Sequence, residues 1–173
     1  MYYSLDDIET DGLRVPAKFQ VDAPGLGWLN EEAKTENVPA GAEAILPLWL
    51  ATPLASASVN EGQDLAFLNI SEPHALNSDV INILRSDPAS LDLRNQNRLF
   101  TNLAIYWCEL FASDDFVQTV YEMTRLRSAY IFDAALAQSG IGGIDRGFDD
   151  YEQRLYQATA KVIRDAKQFR NRR

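Results

Sequence analysis

The sequence predicts a mainly α-helical protein with a small β-containing module at its N-terminus, an α+β chain divided into residues 1–46 and 47–173. Three observations predict it. Pro and Gly break residues 14–46 into short apolar segments, as they do between strands. After the word "LPLWLA" at 46–51, apolar residues recur at helical spacing almost to the end. The composition, 46% hydrophobic and 24% charged over 173 residues, is that of a folded chain with room for one sizeable core.

The opening "YYSLDDIE" reads as a short helical turn. Ser4 is placed to cap the amide of Asp7 while Asp7 reaches back, and Tyr3 and Ile8 stand at the positions of a hydrophobic staple. Short strands follow in "KFQV" and "AEAIL", separated by the turn-rich pieces "DAPGLG" and "VPAGAE". About 45 residues of this kind hold little core alone, so the module leans on something else. In "AEAILPLWLATPLA" Pro47 cannot donate to a sheet ladder, but its missing amide costs nothing at a helix start. The stretch therefore reads as a junction in which "LWLA" makes the first packing contact of the helical domain before Pro53 stops it. If Trp49 is buried there, Trp49→Ala should cost about 3–5 kcal/mol.

From residue 47 the pattern reads as helical to the end. "SEPHALNSDVINILRSDP" is a modest helix stopped before Pro88. "RNQNRLFTNLAIYWCELFAS" places Leu99, Leu103, Tyr106, Trp107, Leu110 and Phe111 at helical spacing, with Ile105 and Cys108 behind them, so that it is apolar all round and expected to be buried on all sides. A long helix opens at Asp114 or Asp115 and closes at Gly140. It carries Phe116, Val120, Met123, Tyr130 and Ala134 on one line and Val117, Tyr121, Ile131 and Ala135 on the next. The last helix starts at Asp149 or Asp150 and carries Tyr151, Leu155, Ala158, Val162, Ala166 and Phe169. These helices have more apolar surface than so few partners cover, which implies an obligate protein partner.

Catalytic chemistry finds no foothold. Cys108 and His74 are the single cysteine and histidine, which excludes an internal disulfide and a Cys/His zinc site built by this chain alone. Cys108 lies in the most apolar helix and reads as an inert buried thiol, and His74 reads as a surface or capping residue. Paired carboxylates occur at Asp6/Asp7, Glu31/Glu32, Asp114/Asp115 and Asp149/Asp150, three of them at predicted helix starts, where acids answer the dipole and the free amides. "GIGG" at 140–143 lacks the lysine of a phosphate loop and the strand of a dinucleotide fold, and reads as a helix end and turn. No enzyme, cofactor or metal is expected. Arg127 is the oddity, falling on an apolar stripe between Met123 and Ile131, either snorkelling or paired with an acidic partner surface.

A net charge of −9 argues against gripping duplex DNA. The charge is uneven: residues 1–64 carry eleven acids and three bases, while 161–173 carry six bases (Lys161, Arg164, Lys167, Arg170, Arg172, Arg173) against Asp165. That basic end is a dipole complement, a solvated tail or a small nucleic-acid patch. No signal peptide is visible in "MYYSLDDIE", and no apolar run approaches a membrane span, so a soluble cytosolic or nuclear protein is expected.

Specific words carry more than periodicity. "YYSLDDI", "RVPAKF", "PGLGWL", "VPAGAEAILPLWLA" and "SDPASLDLRNQNRLF" resemble, in order and spacing, the Psf-three subunit of the GINS complex, a likeness running from Tyr2 through the last helix. The resemblance implies a small β-rich domain followed by a helical one, and helical domains of four related subunits packed together. It also implies a nuclear, non-catalytic role: GINS joins the hexameric MCM motor and its third component as the CMG replicative helicase, in origin firing and fork progression.

On this reading the partners are three other GINS subunits and, through the complex, the motor, with little direct duplex DNA binding and no membrane. The interface and packing residues expected are Leu46, Trp49, Leu50, Tyr106, Trp107, Phe111, Phe116, Val120, Tyr121, Arg127, Tyr130 and Ile131. The alternative from the residues alone is a standalone helical module whose Arg164, Lys167 and Arg170 bind an anionic ligand or single-stranded DNA.

Overall fold

The computed structural model describes residues 4–29, 36–60, 63–111, 113–137 and 147–171, the side chains of 58–60 and 63–65 excepted. Two compact units divide it, Met1–His74 and Ala75–Arg173. The first opens with α1 (Leu5–Asp11). Ser4 stands at the N-cap with extended backbone, but its side chain makes no capping bond, so the expected capping box does not form. Asp6 and Asp7 in the first turn face the helix dipole instead. Tyr3, and with it the staple, lies outside the described residues.

Next comes β1 (Arg14–Phe19), whose Val15, Ala17 and Phe19 turn inward in strict alternation. It is the central strand of a three-stranded antiparallel sheet of order β2-β1-β5. Pro16 is tolerated there because it needs only its carbonyl, which accepts from the amide of Ser71 at 2.8 Å, just past the end of the neighbouring strand. The chain returns through a turn in which Ala42 N–H donates to Pro39 O, with Gly41 at φ 85, a left-handed conformation that favours glycine. β2 (Glu43–Pro47) then pairs with β1, Val15 opposite Leu46 and Ala17 opposite Ala44.

Pro47 ends β2 and caps α2 (Leu48–Ser56) at once. Strand passes to helix without a loop because its fixed φ of −66 suits both. Pro53 does not stop α2: it sits inside the helix, where it leaves the carbonyl of Trp49 without a helical donor. α2 packs on β1 and β5, burying Leu48 and Ala51.

Helical structure does not continue from there. A hairpin of β3 (Ser58–Asn60) and β4 (Gln63–Ala66) precedes β5 (Leu68–Ile70), which pairs Ala17 with Ile70 and Phe19 with Leu68. The unit boundary consequently falls after His74 and not after residue 46. Both α2 and β5 close the core of the small sheet, around Val15, Phe19, Val38, Leu46, Leu48 and Leu68. Each such side chain contributes on the order of 1.5–3 kcal/mol of burial.

The second unit begins with α3 (Ser78–Ser86), capped by Asn77, whose side chain accepts from Val80 N–H, and ended before Pro88. The next expected helix is two: α4 (Leu93–Gln96), capped by Asp92, and α5 (Phe100–Phe111). Asn97 interrupts them, accepting from the amide of Leu99 at 2.8 Å. α6 (Asp114–Ala137) packs against α3, α5 and α7 (Asp150–Asn171). Gly140, the expected end of α6, and the 140–143 turn lie outside the described residues.

α5 is not buried all round. Phe100, Leu103, Ala104 and Trp107 turn inward, while Ile105 and Phe111 are exposed. The core of the unit gathers Leu84, Leu93, Phe100, Leu103, Met123, Ile131 and Phe148.

Candidate interaction surfaces

At 100° per residue, the buried positions of α6 (Val120, Met123, Arg127, Ile131, Ala134) fall on one side of the helix. The side directly opposite is polar, with Gln118, Glu122, Arg125 and Asp133. Between the two, beside the buried Ile131 and Ala135, Val117, Tyr121, Phe132 and Leu136 form a second apolar stripe, with Tyr121 60% and Phe132 50% exposed. Leu126 and Tyr130 flank the buried face and are also exposed. A helix whose apolar arc is wider than the face its own chain covers presents a candidate interaction surface on the uncovered flank.

Arg127 stands at the centre of the buried side, 3% exposed. All five of its N–H groups are engaged. Nε donates to Glu152 Oε1 at 2.6 Å and Nη2 to Glu152 Oε2 at 2.8 Å. Nη1 donates to the carbonyls of Pro88 and Leu91, at 2.7 and 3.0 Å, and Nη2 also to that of Gly147 at 3.3 Å. One guanidinium thus fastens α6 to the α3–α4 connection, to the entry of α7 and to α7 itself. The sequence offered snorkelling or an acidic partner surface for Arg127. The structure corrects both: its counter-ion is internal, 25 residues away. Burial pushes the Glu152 carboxyl above the usual carboxylate range, opposed by the hydrogen bonds and charge of Arg127.

Beside it, Asp149 is fully buried and caps two helices at once. Oδ1 accepts from Glu152 N–H at 2.9 Å, in the first turn of α7, and Oδ2 accepts from Thr101 N–H at 2.7 Å, in the first turn of α5. Asp150 N–H donates to Arg98 O at 3.0 Å, and its carboxylate forms an ion pair with Arg98 at 2.8 Å. The paired acids at 114/115 and 149/150 stand at helix starts as expected, and Glu31/Glu32 lie outside the described residues. Phe148 fills the space between, its ring 6.2 Å from those of Tyr130 and Tyr156.

In α7 the inward side carries Glu152, Tyr156, Thr159 and Ile163. The stripe of Tyr151, Ala158, Val162 and Phe169 is turned outward, with Val162 67% and Phe169 66% exposed. Lys161, Arg164 and Arg170 are exposed as well.

The expected interface residues separate into groups. Leu46, Trp107, Val120, Arg127 and Ile131 are buried in this chain, and Leu50, Tyr106 and Phe116 are half-buried. Phe111, Tyr121 and Tyr130 are exposed, as is Trp49, at 58%. Trp49 therefore contributes little packing within the chain, and the cost expected of a buried ring does not apply to it. In the same unit Trp28 and Ile45 are exposed, neither of them singled out by the sequence. Cys108 is half-buried, and burial, then the carboxylate of Glu109, push its thiol above the ordinary value and away from the reactive thiolate. His74 is exposed.

Known proteins share this chain's sequence along almost its whole length. The PSF3 N-terminal domain family matches residues 3–56. A DNA replication complex GINS protein PSF3 from Phaeosphaeria nodorum is 35% identical over 171 residues, 94% of this chain and 93% of the relative. The chain belongs to the PSF3 family of GINS proteins. The Aspergillus fumigatus protein of the same description is 33% identical over 96% of this chain and 94% of its own length, and that of Debaryomyces hansenii 29% identical over 92% and 91%. The matched N-terminal domain covers α1, β1, β2 and α2, and so takes in both "SLDDI" and "LPLWLA".

Sequence reasoning missed the partner of Arg127 and the double role of Asp149. A signal was present in each case: an arginine on an apolar stripe requires an acid, and "DDYE" at 149–152 supplies two acids at a helix start and a third one turn on.

Proposed function

We propose that this PSF3-family chain is a non-catalytic structural subunit of the GINS heterotetramer, acting in the nucleus in DNA replication. Through the assembled complex it associates with the MCM motor and the third component of the CMG helicase, in initiation and at the fork. The observation that carries the reading is the exposed apolar stripe of α6, Val117, Tyr121, Phe132 and Leu136, beside a face of the helix that its own chain already packs. A desolvated aromatic pair such as Tyr121 and Phe132 is the kind of anchor that dominates stable interfaces. The stripe of α7 and the exposed Phe111 and Tyr130 add further apolar surface, with sibling helical domains as its partners. Relatives with 91–94% of their length matched carry a GINS description, which supports the same role here.

The two units also differ in charge. Twelve acids stand against three bases up to His74, and thirteen against thirteen after it, so the net −9 belongs to the first unit. Neutral apolar helix faces suit sibling packing, and an acidic unit suits contact with basic protein surfaces more than with DNA.

Co-expression with the three sibling subunits tests the reading. The tagged chain should be recovered in a 1:1:1:1 assembly and, expressed alone, should stay dispersed only when dilute and aggregate as its concentration is raised. A well-behaved monomer that captures none of the siblings would contradict it. In that event the exposed Lys161, Arg164 and Arg170 of α7 favour the second reading, an anion-binding module, whose affinity for single-stranded DNA should fall steeply with salt.

A further inference from the structure

The roll of α7 differs from the one that burial alone dictates. Tyr151 and Glu152 are neighbours, so their side chains leave the helix about 100° apart. On the Tyr151 side stand Ala158, Val162 and Phe169, on the Glu152 side stand Tyr156, Thr159 and Ile163, and Leu155 lies between them, half-buried. The first stripe is the more apolar, yet the second faces inward. A helix free to roll against α6 would turn Val162 and Phe169 in and Glu152 out, since buried apolar area stabilises and a buried carboxylate does not.

We propose that the buried Arg127–Glu152 pair is a roll lock, a positioning device that holds the apolar stripe of α7 outward for a sibling subunit. The idea rests on the chain's being a subunit of an assembly. The planar fork of Arg127 is bound on both edges, to both oxygens of Glu152 and to the carbonyls of Pro88, Leu91 and Gly147, so it fixes the direction of Glu152 and not merely its charge. Asp149 fixes the same turn from the other side, through the amides of Glu152 and Thr101. None of these bonds reaches the outer stripe, so Arg127 and Glu152 act on the interface only through the orientation of α7. A buried ion pair is a weak stabiliser compared with apolar side chains of similar size, and its best-attested use is to select one arrangement over another. Here the arrangement selected leaves the apolar stripe exposed in the free chain.

The test is the double substitution Arg127→Met, Glu152→Leu, in the full chain co-expressed with its siblings, with Val162→Cys as a reporter in a Cys108→Ser background. The double variant should be soluble and melt no lower than the parent, but recover siblings at least about tenfold less well, the loss expected when anchor residues are misplaced. In the free chain, without siblings, maleimide labelling of the Val162→Cys reporter should be slower in the double variant than in the parent, because position 162 has rolled inward.

Glu152→Gln, which keeps the acceptor for Nε of Arg127 but loses the one for Nη2, should recover siblings better than the double variant and less well than the parent. Wild-type recovery of siblings by the double variant would overturn the proposal. So would a double variant that is insoluble or melts early, since the pair would then be a stabiliser. If the unsubstituted chain itself captures no siblings, the subunit reading fails, while the labelling rate still reports the roll.

Discussion

The two units solve opposite problems. In the first, apolar side chains close the core by alternation: Val15, Ala17 and Phe19 on β1 meet Leu46 and Ala44 on β2 and Leu68 and Ile70 on β5, and nearly all the charge stays outside. In the second, a polar cluster of Arg127, Glu152 and Asp149 lies inside, while Val117, Tyr121, Phe132, Val162 and Phe169 lie outside. Taken alone, the second unit looks inverted, with charge buried and aromatic surface exposed. The inversion is what a piece of a larger core looks like when its neighbours are absent. The inner face of the sheet is closed by its own chain, although Trp28, Ile45 and Trp49 stay exposed elsewhere in that unit, and on the proposed function the outer stripes of the second unit are closed by other chains.

Substitutions can break that comparison, and the largest effects should come from the two kinds of core. Phe19→Ala removes an apolar anchor of the first unit and should cost about 3–5 kcal/mol. Arg127→Met alone leaves Glu152 buried without its counter-charge and should cost a similar 3–5 kcal/mol or so, read in each case by denaturation of the purified protein. A loss well under about 1 kcal/mol for Arg127→Met would mean that the cluster does not organise the second unit.

Asp149→Ala removes the acceptor of two helix amides and should cost about 2–4 kcal/mol, with α5 and α7 fraying together in hydrogen exchange. Protection retained at Thr101 would show that Asp149 does not hold both helices.

Surface substitutions sharpen the comparison at the small end. Trp49→Ala should change stability by about 1 kcal/mol at most, because the ring is largely exposed. A larger loss, seen in the isolated chain, would mean that Trp49 packs against its own unit.

Much of this architecture was legible in the sequence. Alternation in "RVPAKF" and "AEAIL" marks β1 and β2, and paired acids mark the starts of α6 and α7. The misses share one cause. Periodicity tells which side of a helix is apolar, but not which side faces inward, and in α7 the inward side is settled by an arginine 25 residues earlier. The return of β5 to β1 was hidden for the same reason: three residues, Leu68–Ile70, acquire strand geometry only because β1 offers a free edge across some 50 residues of chain. Trp49 misled differently. Helical position and apolar character argued for burial, and the ring lies instead on the open side of α2.

The central claim is that the outward face of α6 is covered in the assembled protein. Phe132→Cys in a Cys108→Ser background tests it most directly, by the rate of maleimide labelling in the free chain and in the co-purified heterotetramer. Exposure of Phe132 in the chain predicts rapid labelling when it is free and strong protection in the assembly. Equal labelling in the two states would contradict the account.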